Sequence, residues 1–342
     1  MKTIKTKKIC GIGLALTFGF AVILKAQNLY IDSAGTTSGI IGDYLPFGET
    51  INSNLISGLI TPTFMAISGN DLFVANEGND SVGEYTTSGS SVNPALITGL
   101  GNPAGIAVSG TNLFVVNNSS GTIGEYSTSG AVVNASFISG LNGPIGITIS
   151  GTNLFIANGG ASSIAEYTTS GTRVNAALIS GLNTPSSIAI SGTNLFVSSI
   201  GANSIGEYTT SGTTVNASLI TGLSEPNNFA IFGTNVFIVN YANNTIAQYS
   251  TSGTKINGSL ISGLREPWGI AIGSPPQLNI AAAGNQSVLF YPYQASGTNY
   301  ILQTTADPSS TNWVTVSNAV PAMAMIVTNG APAAFFRLVP AQ

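Results

Sequence analysis

The sequence contains no histidine, and its single cysteine, Cys10, lies near the start of the chain. Without imidazole there is no His-based acid–base catalysis, no Ser–His–Asp or Cys–His nucleophile system, and no His-ligated zinc or haem. Charge is scarce as well. Only 6% of residues are charged, against about 25% in an ordinary soluble domain. Hydrophobic residues make up 43%, so the shortage of charge does not mean disorder, because there is enough apolar material for cores. What the chain has in quantity is glycine, 41 residues, with 15 prolines, which points to many turns. A length of 342 residues fits roughly two domains or one large β architecture.

The charges that exist are unevenly placed. Five of the nine basic residues (Lys2, Lys5, Lys7, Lys8 and Lys25) fall in the first 25 positions. Without that segment four basic residues (Arg173, Lys255, Arg265, Arg337) face thirteen acidic ones, a net charge of −9. Releasing counterions from a phosphate backbone takes clustered cations. There is no cluster, and nucleic acid is excluded as a partner.

Residues 1–26 read as an export signal. Four lysines precede the 16-residue run Ile9–Leu24 (ICGIGLALTFGFAVIL), and Lys25-Ala26-Gln27 follows. This is a basic n-region, an apolar h-region and a small-residue exit, and the run is short of the ~20 residues that span a bilayer. Cleavage is expected after Ala26; the alternative is an uncleaved anchor. Cys10 stands at the start of the apolar run instead of ending it and so does not read as a lipoprotein acylation site. The mature chain then has no cysteine for disulfides, metal binding or nucleophilic attack. It has no membrane span either, and is expected outside the cell, at its surface or in the periplasm.

A 41-residue period organises most of the remainder. Pro62, Pro103, Pro144, Pro185, Pro226 and Pro267 keep it, as do Phe73, Phe114, Phe155, Phe196 and Phe237, and Tyr85, Tyr126, Tyr167, Tyr208 and Tyr249. Three residue types in lockstep define a repeat array. The unit PAGIAVSGTNLFVVNNSSGTIGEYSTSGAVVNASFISGLNG (103–143) divides into four β-prone stretches: Ile106–Ser109, Leu113–Asn117, Thr122–Ser127 and Val132–Ile138. Gly110-Thr111-Asn112 and Ser129-Gly130 separate them with residues that tolerate tight turns. No unit shows a helical period. Four short strands per repeat make an all-β propeller blade. Both faces of each small sheet are apolar, and only neighbours on both sides, around a closed ring, bury both.

The run P-x-G-I-A-V-x-G-x-x-L-F-V-x-N … I-G-E-Y-x-x-x-G resembles the NHL-type repeat of secreted and scaffold β-propellers, over residues 28–292. Pro103, Gly105, Ile106, Ala107, Leu113, Phe114, Val115 and Ile123 fit it best. Asn76, Asn117, Asn158 and Asn240 stand where that family usually has Asp. The repeat is more distantly similar to the virginiamycin-B-lyase-like and SMP-30-like propellers. The resemblance implies a fold and not a function, since this repeat serves enzymes, scaffolds and ligand binders.

The propeller is expected over 27–293. Asn28–Leu59 supplies second, third and fourth strands, and Pro267–Tyr291 supplies first, second and third. As separate blades they give seven, the favoured count. As one shared blade, closed by a strand near Ile51–Ile56, they give six. Residues 296–342 hold four strand-like stretches (Tyr300–Thr304, Trp313–Ser317, Ala324–Thr328, Ala334–Leu338) and read as a small β module. Its closing Phe335-Phe336-Arg337-Leu338 is similar to terminal modules of exported proteins from environmental bacteria. An export address, a surface tether and a ring-closing element remain open as its role.

Two regular polar columns invite attention: Glu84, Glu125, Glu166 and Glu207, continuing as Gln248; and the four asparagines above. A carboxylate ring could bind cations, but Gln248 replaces a hydrogen bond and not a charge, so both columns read as structural. Differences among repeats carry more information. The Ser-Gly-Thr-Asn and Thr-Thr-Ser-Gly turns barely change and form one rim. The loops joining fourth to first strands, and second to third, vary, and in propellers both open on one face around the channel. There the repeats at Pro226 and Pro267 place Glu225, Asn227, Asn228, Tyr241, Arg265, Glu266 and Trp268, and the repeat at Pro62 places Phe64, Glu77 and Asp80. Aromatics with carboxylates and amides suit a polar organic ligand such as a glycan or peptide; the bland alternative is ordinary loop drift, with Arg265 and Glu266 as an exposed ion pair.

No catalytic residues, metal ligands or cofactor are assigned. The lyase relatives depend on histidines that this chain lacks, and Ala104, Ile145, Ser186 and Asn227, at the starts of first strands, give only fragments of an SMP-30-like metal site. The expectation is a secreted, monomeric, non-enzymatic propeller that binds a polar ligand, glycan or protein through the variable face. The alternatives are a His-free metal-dependent lactonase or lyase using Glu225 or Glu266, and a purely structural surface protein.

Overall fold

The computed structural model describes residues 28–34 and 38–273, together with the backbone of strands Asn279–Ala283, Gln286–Phe290, Tyr300–Thr305, Val314–Ser317, Met325–Thr328 and Phe335–Pro340. The expected export signal lies outside the described residues.

Within the compact unit Gln27–Gly273, the 41-residue period becomes six four-stranded antiparallel sheets. Blade 2 holds Pro62–Ser68, Asp71–Asn76, Ser81–Thr86 and Ser91–Ile97, running from the channel outward. Blades 3 to 6 repeat this order from Pro103, Pro144, Pro185 and Pro226. Blade 1 is assembled from both ends of the unit. Asn28–Ser33, Gly39–Tyr44 and Thr50–Leu59 are its outer three strands, and Ile270–Gly273 is its innermost. The closing register pairs Asn28 with Gly273, Leu29 with Ile272, Tyr30 with Ala271 and Ile31 with Ile270.

The favoured count of seven is therefore corrected to six. The reason lies in edges: Asn28–Leu59 has no inner strand of its own, and the strand after Pro267 supplies one. An unpaired inner edge would expose a row of backbone N–H and C=O groups, and sharing one blade removes two such edges at once. The surplus strands Asn279–Ala283 and Gln286–Phe290 pair with Met325–Thr328 in a three-stranded sheet. Tyr300–Thr305 pairs with Val314–Ser317 and Phe335–Pro340 in another. Both sheets belong to a second compact unit.

The ring is held by six apolar clusters, one at each interface between blades. Along each second strand, successive side chains point to opposite faces. Phe114 and Val116 of blade 3 pack against Ile147, Leu154 and Ile156 of blade 4. Tyr30 and Ile41 of blade 1 meet Leu72 and Val74 of blade 2, and Leu29 and Ile31 meet Phe237 and Val239 of blade 6. The Phe column and its partner Tyr30 are all buried. Outermost strands are different: Ile51, Val92, Val133, Val174, Val215 and Ile256, one per blade, are all exposed. Their edges are blunted in another way. The next residue, Asn52, Asn93, Asn134, Asn175, Asn216 or Asn257, turns its Oδ1 onto the backbone N–H two positions on.

The polar columns hold strands together. Asn112, Asn153 and Asn194 each donate to Glu125, Glu166 and Glu207, at 2.8, 2.8 and 2.6 Å. In blade 6 the direction reverses, and Gln248 donates to Asn235 at 3.1 Å. Blade 1 carries the shorter version, with Asn28 donating to Asp43 at 2.9 Å. Asn117 and Asn240 accept backbone N–H bonds from Gly101 and Ser224 in the incoming connection.

Candidate functional site

Five of the six inner strands begin with a proline, Pro267 lies just ahead of the sixth, and the residue before each of these prolines adopts a left-handed conformation. Glu225 and Glu266 have φ of 50° and 47°, a region where non-glycine residues are uncommon. Two contacts hold Glu225 there: its N–H donates to Asn203 Oδ1 at 2.8 Å, and its carbonyl accepts the Tyr241 N–H at 3.2 Å. The Glu266 N–H donates to Asn244 Oδ1 at 2.7 Å. Asn203 and Asn244 close the single-turn 3₁₀ segments Ile200–Ala202 and Tyr241–Asn243. Each thus reaches from one blade to the connection entering the next. Asp80 does the same in blade 2, accepting the Asn102 N–H at 2.9 Å. The second-to-third loops and the fourth-to-first connections therefore share one face.

On that face Tyr241 and Trp268 form an edge-on pair, with ring centroids 5.3 Å apart and planes inclined by 60°. Both are partly exposed, whereas Glu225, Arg265 and Glu266 are exposed. Burial, followed by the charges of Glu266 and then Glu225, pushes the Tyr241 phenol up, and the backbone bonds of Glu225 to Tyr241 and of Glu266 to Asn244 bring both connections to the Tyr241 turn. The Trp268 N–H donates to Asp32 Oδ1 at 2.6 Å, and the Gly269 carbonyl accepts the Asp32 N–H at 3.2 Å. Arg265 is fixed by its backbone: Ser33 Oγ accepts its N–H at 2.8 Å and donates to its carbonyl at 2.9 Å. A glycine is required at 269 because a Cβ there would run into the Thr63 carbonyl.

The remaining residues singled out from the sequence are placed otherwise. Asn227 and Asn228 are buried at the start of the blade 6 inner strand. Asn228 Oδ1 accepts the Ser187 hydroxyl at 2.8 Å and the Phe229 N–H at 2.7 Å, tying blade 6 to blade 5. Phe64 is buried in blade 2. Glu77 begins the 3₁₀ turn Glu77–Asn79 of that blade, one blade beyond the ring closure, and the exposed Asp80 caps its C-terminal end. The structure thus groups Tyr241, Trp268, Glu225, Arg265 and Glu266, and sets the other five apart.

Sequence reasoning did not find the buried polar contacts of Ser186, or the buried Asp32. Ser186 and Ser198 share a hydrogen bond at 2.8 Å, and Ser186 also reaches the Pro226 carbonyl in the next blade at 3.2 Å. Asp32 is fully buried, its Oδ2 has no partner, and desolvation holds its carboxyl well above the usual range against backbone bonds to Gly269 and Trp268. A signal for Asp32 existed: its column otherwise reads Ala75, Val116, Ala157, Ser198 and Val239. Asp43 is buried too, and burial pushes it up to about 7 despite the Asn28 amide. Among the described residues no three His, Cys, Asp or Glu side chains come together as a metal centre. None of the described helices is long and apolar enough to cross a membrane.

No family model matches the chain, and no curated protein matches it in sequence. Solved structures do match in fold. A chain of a nidogen/laminin complex superposes with a TM-score of 0.60 at 15% identity, covering 72% of this chain and 98% of that one. A streptogramin B lyase gives 0.52 at 16% identity, over 81% and 93%. A catalytically inactive virginiamycin B lyase of Staphylococcus aureus, solved with quinupristin, gives 0.50 at 16% identity, over 82% and 94%. The fold is a β-propeller. At these identities the likeness extends to architecture alone, and one architecture hosts many functions.

Proposed function

We propose that this chain is a secreted, monomeric, non-enzymatic β-propeller of NHL-repeat type, of bacterial origin, that binds a polar ligand, glycan or protein partner through its variable loop face. One observation carries the reading: the partly exposed Tyr241–Trp268 pair stands at repeat positions that hold other residue types elsewhere. The Tyr241 column reads Ala34, Glu77, Asn118, Gly159 and Ile200 in the other blades, and the Trp268 column reads Thr63, Ala104, Ile145, Ser186 and Asn227. Packing between blades does not call for an aromatic at either position, because the apolar clusters are complete without them. Large, rigid aromatic side chains at a solvated rim are the usual anchors of recognition surfaces.

The proposal is tested on glycan and peptide arrays with the exported protein. Binding should be lost in the Tyr241→Ala and Trp268→Ala variants while circular dichroism and melting show an intact ring. A folded double variant that binds as well as the parent would overturn it.

A further inference from the structure

The composition of the loop face narrows the ligand further. Tyr241 and Trp268 meet edge-on at 5.3 Å and 60° in a partly exposed aromatic corner. Aromatic faces carry negative quadrupole density and attract cations. Glu225 and Glu266 flank the corner, one on each side of the Tyr241 turn. Their main chains are pinned by Asn203 and Asn244, so the position from which each carboxylate departs is fixed. Aromatic faces and two exposed carboxylates favour positive charge and disfavour carboxylates or phosphates. One cation stands among them: exposed Arg265 precedes Glu266 in the same connection, its main chain held by Ser33, so the two carboxylates leave an excess of one negative charge. The ring itself is acidic: among residues 28–273 twelve acidic residues outnumber Arg173, Lys255 and Arg265, which draws cationic partners from a distance.

We infer that the Tyr241–Trp268 corner, with Glu225 and Glu266 at its sides, binds a cationic organic group, either the guanidinium or ammonium end of a basic side chain on a protein partner or a free organic ammonium of similar size. The inference rests on the loop-face binding proposed above and names the chemistry recognised there.

Titration calorimetry at low salt with N-acetyl-arginine amide, tetramethylammonium and an arginine-rich peptide tests it, with N-acetyl-citrulline amide as the neutral counterpart. The arginine probes should bind, and citrulline should bind at least about tenfold more weakly, as expected where cation–π and carboxylate contacts act together. Affinity should fall as salt rises. The Glu225→Gln/Glu266→Gln variant, altered only at exposed side chains, should lose roughly tenfold for the cations. A peptide that binds far more tightly than the free cations identifies a protein source; equal affinities identify a small ammonium. Citrulline binding as well as arginine, or an unchanged double glutamine variant, would overturn the inference. If Trp268→Ala loses array binding while the double glutamine variant keeps it, the charge argument alone fails. If neither changes any binding, the loop-face reading fails with it. Should Trp268→Ala disturb the ring closure, Tyr241→Ala supplies the same comparison.

Discussion

Asp43 offers a quantitative test of how the blades are built. It occupies the position filled by Glu125, Glu166, Glu207 and Gln248 in other blades, but its shorter side chain leaves it buried, with Oδ1 unpartnered and Oδ2 bonded only to Asn28. Burial raises its pKa from 3.8 to about 7. The folded chain then binds this proton more tightly than the unfolded chain does. The contribution to stability is complete below about pH 4, falls steadily as pH rises toward 7, and is flat above. Three pKa units at 1.36 kcal/mol each set an upper bound of about 4 kcal/mol for the cost at pH 7.5. Asp43→Asn removes the titration and can bond Asn28 amide to amide, as Gln248 bonds Asn235. Melting should therefore show little difference between variant and parent at pH 4, and a gain of several degrees at pH 7.5, at about 2–4 °C per kcal/mol. Residual pH dependence of the same sign belongs to Asp32, whose carboxyl is raised by the same cause. A variant less stable than the parent at pH 7.5, or equally shifted at both pH values, would refute the reasoning.

Two further outcomes follow from packing and from the polar columns. Phe114, buried where blades 3 and 4 meet, should cost about 3–5 kcal/mol as Phe114→Ala, measured by chemical denaturation. Glu125→Gln should leave denaturation nearly unchanged because Gln248 already performs that role, whereas Glu125→Ala leaves Asn112 without its partner and should cost about 1 kcal/mol.

The regular part of the molecule was open to a reader of the sequence because its period is physical. Proline can start an inner strand without a ladder N–H, a large aromatic in every second strand fills one interface, and Gly-containing turns end strands in register. Strand limits expected for residues 103–143 agree with the observed Pro103–Ser109, Asn112–Asn117, Thr122–Ser127 and Val132–Ile138 to within three residues. Blade number was less accessible. Asn28–Leu59 and the segment after Pro267 each look like part of a blade, and whether two parts join depends on an edge pairing across more than 200 residues. The same limit applies at the candidate site. Tyr241, Trp268, Glu225 and Glu266 stood out by breaking the repeat, and the structure gathers them. Asn227 and Asn228 broke it too, yet the irregular pairing between Pro226 and Phe229 accompanies their burial. Asp32 escaped notice because it sits in the incomplete N-terminal sector, where columns are hardest to align.

The borrowed strand Ile270–Gly273 has a consequence for how the chain matures. Emerging residue by residue, the polypeptide can stack blades 2 through 6 as soon as each is made, since their partners are local. The opening segment must instead wait with Asn28–Ser33 bare along one side until the last inner strand arrives. Commitment of the circle is thus reserved for its final step, and a molecule interrupted before Ile270 keeps a sticky seam that any other unfinished copy could occupy.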